Sequence, residues 1–326
     1  MVDHNIWTTF HAKLHQTLRD KPLLPKKSRI LVAVSGGQDS LCVSKLLLDL
    51  QPKWNWQLAI AHCDHNWATD LGIADHVAKI SESWSTTFYL KQAQNLRETE
   101  AAARKWRYQA LIEIAQENNF QYIVTGHSKS DRAETFLYNL IRGAGADGLS
   151  SLDWQRNLTS DIQLIRPILN FTRSETWEFC QKSSLPIWFD IVNENNKYAR
   201  NRIRGDLIPY LKDSFNPQVE NSLVQTAELL RADVEYLETI ASELLTKVKH
   251  PQENKLNRQE LKTIPLALQR RIVRKFLPQI IQHQPNFEQI EAVCKLITAP
   301  NKSRTSTLPN KAIAEASGAW IIFIKS

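Results

Sequence analysis

Six residues, Ser35-Gly36-Gly37-Gln38-Asp39-Ser40, constrain this chain more than any other stretch. They follow residues 29–34, a short apolar run with β-branched side chains that predicts a buried parallel strand. They precede residues 41–50, where Leu41, Lys45 and Leu48 keep helical spacing, so the glycines are expected at a strand-to-helix turn. Two adjacent glycines at such a turn let backbone N–H groups approach an anion without interference from Cβ, and the helix N-terminus adds positive dipole. Ser35 and Ser40 supply hydroxyl donors, and Asp39 supplies an oxygen ligand for a magnesium ion carried with phosphates.

The commoner mononucleotide loop, Gly-x-x-x-x-Gly-Lys-[Ser/Thr], is absent, and no lysine follows the glycines. A Gly-Gly pair alone would be read equally well as a turn capped by Ser40. The full Ser-Gly-Gly-x-Asp-Ser sequence directly after a buried strand favours function. It resembles the pyrophosphate loop (PP-loop) of the ATP pyrophosphatases, enzymes that split ATP between its α and β phosphates and pass AMP to an acceptor oxygen.

The 326 residues suffice for one large domain and one or two smaller ones, and 42% hydrophobic with 23% charged residues is ordinary for a globular protein. No apolar run reaches the length of a membrane span, and the first ten residues lack a basic and then apolar leader, so the expectation is a cytoplasmic protein without a membrane partner. Cys42, Cys63, Cys180 and Cys294 are widely separated, which argues against disulfides, a zinc knuckle or a sulfur-relay pair. The net charge of +7 favours an acidic partner, and divided after Phe215 the surplus is +3 over the long part and +4 over the short one.

Taken in order, residues 7–19 predict an amphipathic helix with Trp7, Phe10, Leu14 and Leu18 on one face, ended by Pro22 and Pro25. Residues 57–62 read as a second strand closing in His62-Cys63-Asp64-His65, at the carboxyl end where ligands bind in open α/β sheets. A zinc site is conceivable there, but alternation sends His62 and Cys63 to opposite faces and no ligand spacing recurs elsewhere. A nucleotide or base contact is preferred. Residues 73–84 are expected as a helix, 87–90 as a third strand and 98–115 as an alanine-rich helix. On that helix Glu100, Arg104, Arg107 and Tyr108 share a face, which suits either a solvated ion pair or a grip on phosphates.

Residues 121–125 read as a fourth strand, and Gly126-His127 then open a second polar constellation. Asp131 and Glu134 lie three apart on the first turn of a helix, as dipole partners or as a pair able to bind an ammonium group or share a metal ion. Arg142-Gly143-Ala144-Gly145 and Gly148 give a basic, glycine-rich loop. A fifth strand is expected over 161–169, a helix over 171–182 begun by the capping box Thr172 and Glu175, and a loop over 190–196. Arg200, Arg202 and Arg204 follow, a solvated face or a clamp for a phosphate backbone.

Phe215-Asn216-Pro217 marks the expected domain break, giving residues 1–215 and 216–326. The second part should hold helices over 219–249, 258–277 and 287–298 and short strands over 305–308, 311–316 and 319–324. Arg270, Arg271, Arg274 and Lys275 on its middle helix suit a surface that grips nucleic acid. The fold class is therefore α/β: an open parallel sheet with helices on both faces, then a mainly helical domain with a small terminal β unit.

With these motifs in this order, the chain resembles the tRNA(Ile)-lysidine synthetase family from near the first strand to the end. The matching residues are Ser35 to Ser40, His62-Cys63-Asp64-His65, Ala103-Arg104-Lys105-Trp106-Arg107-Tyr108, Gly126-His127 with Asp131-Arg132-Ala133-Glu134-Thr135, Arg142-Gly143-Ala144-Gly145, residues 190–193, and Arg200-Asn201-Arg202-Ile203-Arg204. The chain departs from the family in carrying Ser130 where an aspartate is usual, and in being a short form without the further C-terminal domain of longer members.

The resemblance implies an adenine nucleotide alpha hydrolase-like fold with ATP and magnesium as cofactors. It implies free lysine and a CAU-anticodon isoleucine tRNA as substrates: ATP adenylates the C2 oxygen of the wobble cytidine, pyrophosphate leaves, and the lysine amine displaces AMP. Codon reading then changes from AUG to AUA. The nucleotide would be held by Ser35, Gly36, Gly37, Gln38, Asp39 and Ser40 with His62, His65, Gly126 and His127, and the metal by Asp39. Asp131 and Glu134 would hold lysine, and Arg104 and Arg107 would stabilise phosphates or the adenylated base. Arg142, Arg200, Arg202, Arg204, Arg270, Arg271, Arg274 and Lys275 would bind tRNA. A tRNA 2-thiolation enzyme on a related fold and a non-catalytic tRNA binder are the alternatives, and a homodimer is left open.

Overall fold

The computed structural model describes residues 7–150, 152–188 and 199–325, so the expected loop at 190–196 and its family match lie outside the described residues. The chain divides into two compact units, residues 1–228 and 229–326.

The first unit is organised on strand β1 (Arg29–Ala33). Alternation sends Ile30 and Val32 to one face and Leu31 to the other, and none is more than 2% exposed, so β1 must lie inside a sheet covered on both sides. β1 pairs in parallel with β2 (Gln57–Asp64) and β4 (Tyr122–Thr125). With β3 (Thr87–Gln92), β6 (Gln163–Ile165) and β5 (Gln155–Asn157), the sheet runs β3-β2-β1-β4-β6-β5.

One face carries α1 (Thr9–Asp20), α2 (Gln38–Trp54), α3 (Ile73–Ser83) and α7 (Arg173–Lys182). Their Leu14, Leu46, Leu47, Val77 and Phe179 bury Ile30, Val32, Ile60, Val124 and Ile165. On the other face α4 (Glu100–Glu117) lays Leu111, Ile114 and Ala115 over Leu31, Ala59, Ala61, Ile123 and Leu164. The helix α5 (Lys129–Ile141), followed by the single turn α6 (Ala146–Leu149), packs Ala133 and Leu137 on Ile203 and Ile208. Those two belong to a continuous segment made of α8 (Ala199–Arg202), a π turn (Ile203–Leu207) and α9 (Ile208–Ser214).

The division between units falls inside α10 (Val219–Val248). The second unit adds β7 (Lys255–Asn257), α11 (Arg258–Lys262), α12 (Leu266–Phe276), α13 (Pro278–Ile281), α14 (Phe287–Lys295), β8 (Ala312–Ser317) and β9 (Trp320–Lys325). Its three strands form an antiparallel sheet in the order β7-β9-β8, and Leu256, Leu261, Ile272, Phe276, Val293 and Ile321 close its core.

Several expected bounds are corrected. The helix after the glycine turn starts at Gln38, three residues earlier than its apolar spacing suggested, which places Asp39 in its first turn. The helix expected over 258–277 is two, because Pro265 has no N–H to continue the first and instead caps the second. Residues 305–308 contribute only an isolated bridge, Leu308 to Ala312, before Pro309 stops the pairing. Two short strands, β5 and β7, were missed: β5 is polar and exposed throughout, so it shows no alternation to read. Pro167 confines the fifth expected strand to Gln163–Ile165.

Phe276 is fully buried and tilts against Phe323 at 5.2 Å between ring centroids. Phe276→Ala is expected to cost the second unit about 3–5 kcal/mol, read as faster amide exchange across residues 229–325 with little change in the first unit.

Candidate functional site

The carboxyl ends of β1, β2 and β4 converge on a cavity of about 400 Å³. Its wall includes Ser35, Gly37, Gln38, Asp39 and Ser40, then His62, Cys63, His65, Gly126, His127 and Asp131, with Arg104, Arg107, Tyr108, Arg173, Arg200 and Arg204. A larger groove of about 680 Å³ between α5 and the π turn is lined by Tyr138, Ile141, Ile203 and Leu207 and holds none of the glycine-turn groups. The chemistry belongs to the smaller cavity.

Gly36 adopts φ +84°, a left-handed conformation that favours glycine, and a Cβ there would stand 3.2 Å from that of Trp188. The Trp188 N–H donates to the Gly36 carbonyl at 3.0 Å, so the turn is held from outside. Ser40 Oγ donates to the Gly37 carbonyl at 2.8 Å and accepts from the Ser35 N–H at 3.2 Å. That hydroxyl therefore serves the turn itself, whereas Ser35 is exposed. Gln38 also turns inward: its amide donates to Arg173 O at 2.7 Å and Thr176 Oγ1 at 2.9 Å, bracing α2 on α7.

Gly126 makes the closest approach in the site. A Cβ on it would lie 2.7 Å from the carbonyl carbon and oxygen of Asp39 and 2.8 Å from the Ser40 nitrogen, so only glycine lets the end of β4 meet the first turn of α2. Asp39 accepts a hydrogen bond from the Thr176 hydroxyl, and its other oxygen lies 3.8 Å from Arg173. Burial, reinforced by the neighbouring Asp131 carboxylate, raises its pKa to about 6.

Asp131 Oδ2 accepts from the Ser128 N–H at 2.7 Å and hydroxyl at 2.8 Å, completing a capping box on α5. Its Oδ1 lies 3.5 Å from Arg204. Burial opposes its ionisation, but the Ser128 N–H and hydroxyl and Arg204 hold the pKa below the usual value. Glu134, one turn on and 2% exposed, sits behind the wall, joined to Arg204 by two hydrogen bonds of 2.6 and 2.9 Å. The expected pair does not open together on the cavity: Asp131 does so alongside Asp39, and Glu134 faces the π turn.

Burial takes the His127 pKa down to about 3, with Asp131 opposing and Arg166, Arg104 and Arg107 adding, so the ring is neutral at physiological pH. Its Nδ1 lies 2.8 Å from Thr125 Oγ1. His62 Nδ1 lies 2.7 Å from the Val34 carbonyl, which fixes its proton there and leaves Nε2 as acceptor. His65 pairs with Asp70 at 3.0 Å and stacks on Trp67. Burial lowers the pKa of both rings.

The expected RNA-facing cations are largely engaged. Arg204 is taken by Glu134 and Asp131, Arg200 reaches Glu100 at 3.2 Å, and Arg142 donates to the Tyr138 hydroxyl at 2.8 Å; Arg202 is exposed. In the second unit Arg270 pairs with Glu291 at 2.6 Å, while Arg271, Arg274 and Lys275 all reach Glu238. The positive charge expected on that helix is thus matched by carboxylates of α10 and α14. Arg173, Thr176 and Asp70 were not anticipated; the capping box that begins α7 was visible, but nothing in it announced contact with Asp39.

Sheet, turn and cavity together define a PP-loop nucleotide-binding domain, and a family profile described as a PP-loop domain matches residues 6–211. The chain is 55% identical over 332 aligned positions to a tRNA(Ile)-lysidine synthase of a Nostoc species, with 97% of each chain covered. It is 52% identical to the enzyme of that name from a Synechocystis species, with 98% of each covered. The chain belongs to the tRNA(Ile)-lysidine synthase family. Among solved structures, a U34-tRNA thiolase, NcsA, from Methanococcus maripaludis shares the fold at a TM-score of 0.57 and 18% identity, covering 68% of this chain and 78% of that one.

Two outcomes follow from this geometry. Gly126→Ala should push the first turn of α2 off the sheet and lower ATP affinity at least roughly tenfold, while Gly145→Ala, whose Cβ meets nothing within 4 Å, should not; calorimetric titration compares them. Arg204→Met should leave the Glu134 carboxylate buried without a cation and cost about 3–5 kcal/mol at neutral pH. Burial already raises the Glu134 pKa, and removing Arg204 raises it further. A raised folded-state pKa makes stability fall as pH rises, so the melting deficit should shrink as pH is lowered.

Proposed function

We infer that this chain is a tRNA-modifying ligase that joins free lysine to a tRNA base through a carbon–nitrogen bond, converting ATP to AMP and pyrophosphate. The observation that carries the reading is the match to lysidine synthases over nearly the whole chain, with the anion-binding turn, Asp39 and Asp131 opening on one cavity. The target is the wobble cytidine of the CAU-anticodon isoleucine tRNA. Its C2 oxygen attacks the α-phosphorus and pyrophosphate leaves; the lysine amine then attacks C2 and AMP leaves. Among the described residues no helix is long and apolar enough to cross a membrane, and we place the enzyme in the cytoplasm.

The open N-terminus of α2 receives the pyrophosphate, with the Gly36 and Gly37 amides and the Ser35 hydroxyl placed for its oxygens. Among the described residues no three His, Cys, Asp or Glu side chains are grouped to hold a metal ion unaided. One buried, under-compensated carboxylate, Asp39, suits a magnesium ion that takes its remaining ligands from phosphates and water. Held by Asp39, such an ion would supply positive charge to the leaving pyrophosphate. Asp131 orients the incoming ammonium, which must lose a proton before attack, and the Arg204–Glu134 pair holds Asp131 in position. Arg104 and Arg107 stabilise phosphate or the adenylated base.

Pyrophosphate release should require both ATP and a CAU-anticodon transcript, and product formation should require lysine. Mass analysis of nucleosides from that transcript should show cytidine converted to lysidine; incorporation from a sulfur donor with lysine inert would favour thiolation. Asp131→Asn should raise the KM for lysine at least tenfold while adenylation falls less, and equal loss of both steps would remove Asp131 from this role.

A further inference from the structure

Three guanidinium groups, those of Arg104, Arg156 and Arg166, gather around one tyrosine, Tyr108. Arg104 Cζ lies 5.7 Å from the centroid of the Tyr108 ring and Arg156 Cζ lies 5.2 Å from it, both within cation–π reach. Arg166 stands beside them, 3% exposed, with Nη1 donating to the Asp153 carbonyl at 2.6 Å and Nε buried without a hydrogen-bond partner. Arg107 is on the adjoining cavity wall. Among the described residues none of these arginines forms an ion pair, and Arg166 also hydrogen-bonds to the Tyr108 side chain.

The basic face of α12, by contrast, is matched by Glu238 and Glu291. Like charges held this close repel, and a buried guanidinium without a counter-ion is costly, so the arrangement favours an anion that completes it. Arg104 lines the cavity, but Arg156 does not. It projects from β5, the exposed antiparallel edge of the sheet, opposite Leu164 of β6. An anion touching both must extend beyond the cavity, as a phosphodiester strand does and a nucleotide seated on the glycine turn need not.

We propose that Arg104 and Arg156, gathered on Tyr108 and backed by Arg166, form a phosphate-binding site that holds a phosphodiester of the RNA strand whose base enters the cavity. The RNA source rests on the functional reading above; the phosphate chemistry does not. The ring sets the separation of the half-buried Arg104 and exposed Arg156 guanidiniums, and Arg166 supplies fixed positive field from beneath.

The test is Arg156→Gln, an exposed edge position whose melting temperature should match that of the unsubstituted protein. Affinity for a CAU-anticodon transcript and for a single-stranded oligoribonucleotide of unrelated sequence is measured across a KCl series, with ATP affinity measured on the same preparations. Both RNAs should bind roughly tenfold more weakly. The slope of log affinity against log salt should become shallower by about 0.7, with ATP affinity unchanged and Arg156→Lys restoring the slope. Loss of ATP affinity with RNA binding intact would reassign the site to the nucleotide's phosphates. Unchanged RNA and ATP affinities in both Arg156→Gln and Arg104→Gln would overturn it. If the transcript fails to bind the unsubstituted protein the functional reading falls, and the oligoribonucleotide arm still decides the site, because a phosphodiester clamp reads no base.

Discussion

The site depends on the contact of two backbones, the end of β4 at Gly126 and the first turn of α2 at Asp39, with no room for a side chain between them. Because β1 and β4 are parallel neighbours, with Ala33 opposite Thr125, the turns that leave them lie side by side and both lead into helices. Three helix N-termini, those of α2, α5 and α7, are thereby gathered by the sheet. Two have capping boxes that supply their own carboxylates, Asp131 through Ser128 and Glu175 through Thr172. At the third, the N-cap is Gly37 and no side chain caps the turn. An anion drawn to this edge finds one open set of N–H groups, and the direction of the phosphate chain follows from that asymmetry.

The acidic groups nearby are divided with similar economy. Arg204 sits between Glu134 and Asp131, satisfying the first with two bonds and the second with one longer contact. Asp39 receives only a hydroxyl and a distant guanidinium. The three carboxylates therefore differ in how much positive charge each already has, and the least compensated one lies nearest the anion-binding turn. On the proposed reading, a divalent cation carried with phosphates would be drawn there and an ammonium group to Asp131, whose outer oxygen is the less engaged.

The parallel core and the glycine turn were legible because their signals are local: alternation in Ile30, Leu31 and Val32, and two glycines before a helix. What was not legible depends on partners distant in sequence. Spacing placed Asp131 and Glu134 on one face, but it carries no information about depth, and the π turn bearing Arg204 claims the deeper of the two. Spacing could not show the pairing of the basic run on α12, because Glu238 lies more than thirty residues away on α10. Ser130 is a further case. Its buried hydroxyl accepts the Arg173 N–H at 3.2 Å, tying the start of α7 to α5 without adding a fourth carboxylate.

A tRNA thiolase shares this fold, so the fold alone does not choose the chemistry. The thiols bear on that choice. Cys63 reaches the cavity wall, but burial pushes its pKa up to about 12 despite Arg107 and Lys91, so it remains a thiol at physiological pH. Burial raises Cys180 equally, and Cys42 higher still, and both are enclosed between α2 and α7. None of the four free cysteines is paired with another in a disulfide, and a sulfur relay needs an accessible thiolate that these positions do not supply. An exogenous amine needs no such group, and on the proposed reading Asp131, beside the glycine turn, is the carboxylate that would orient it.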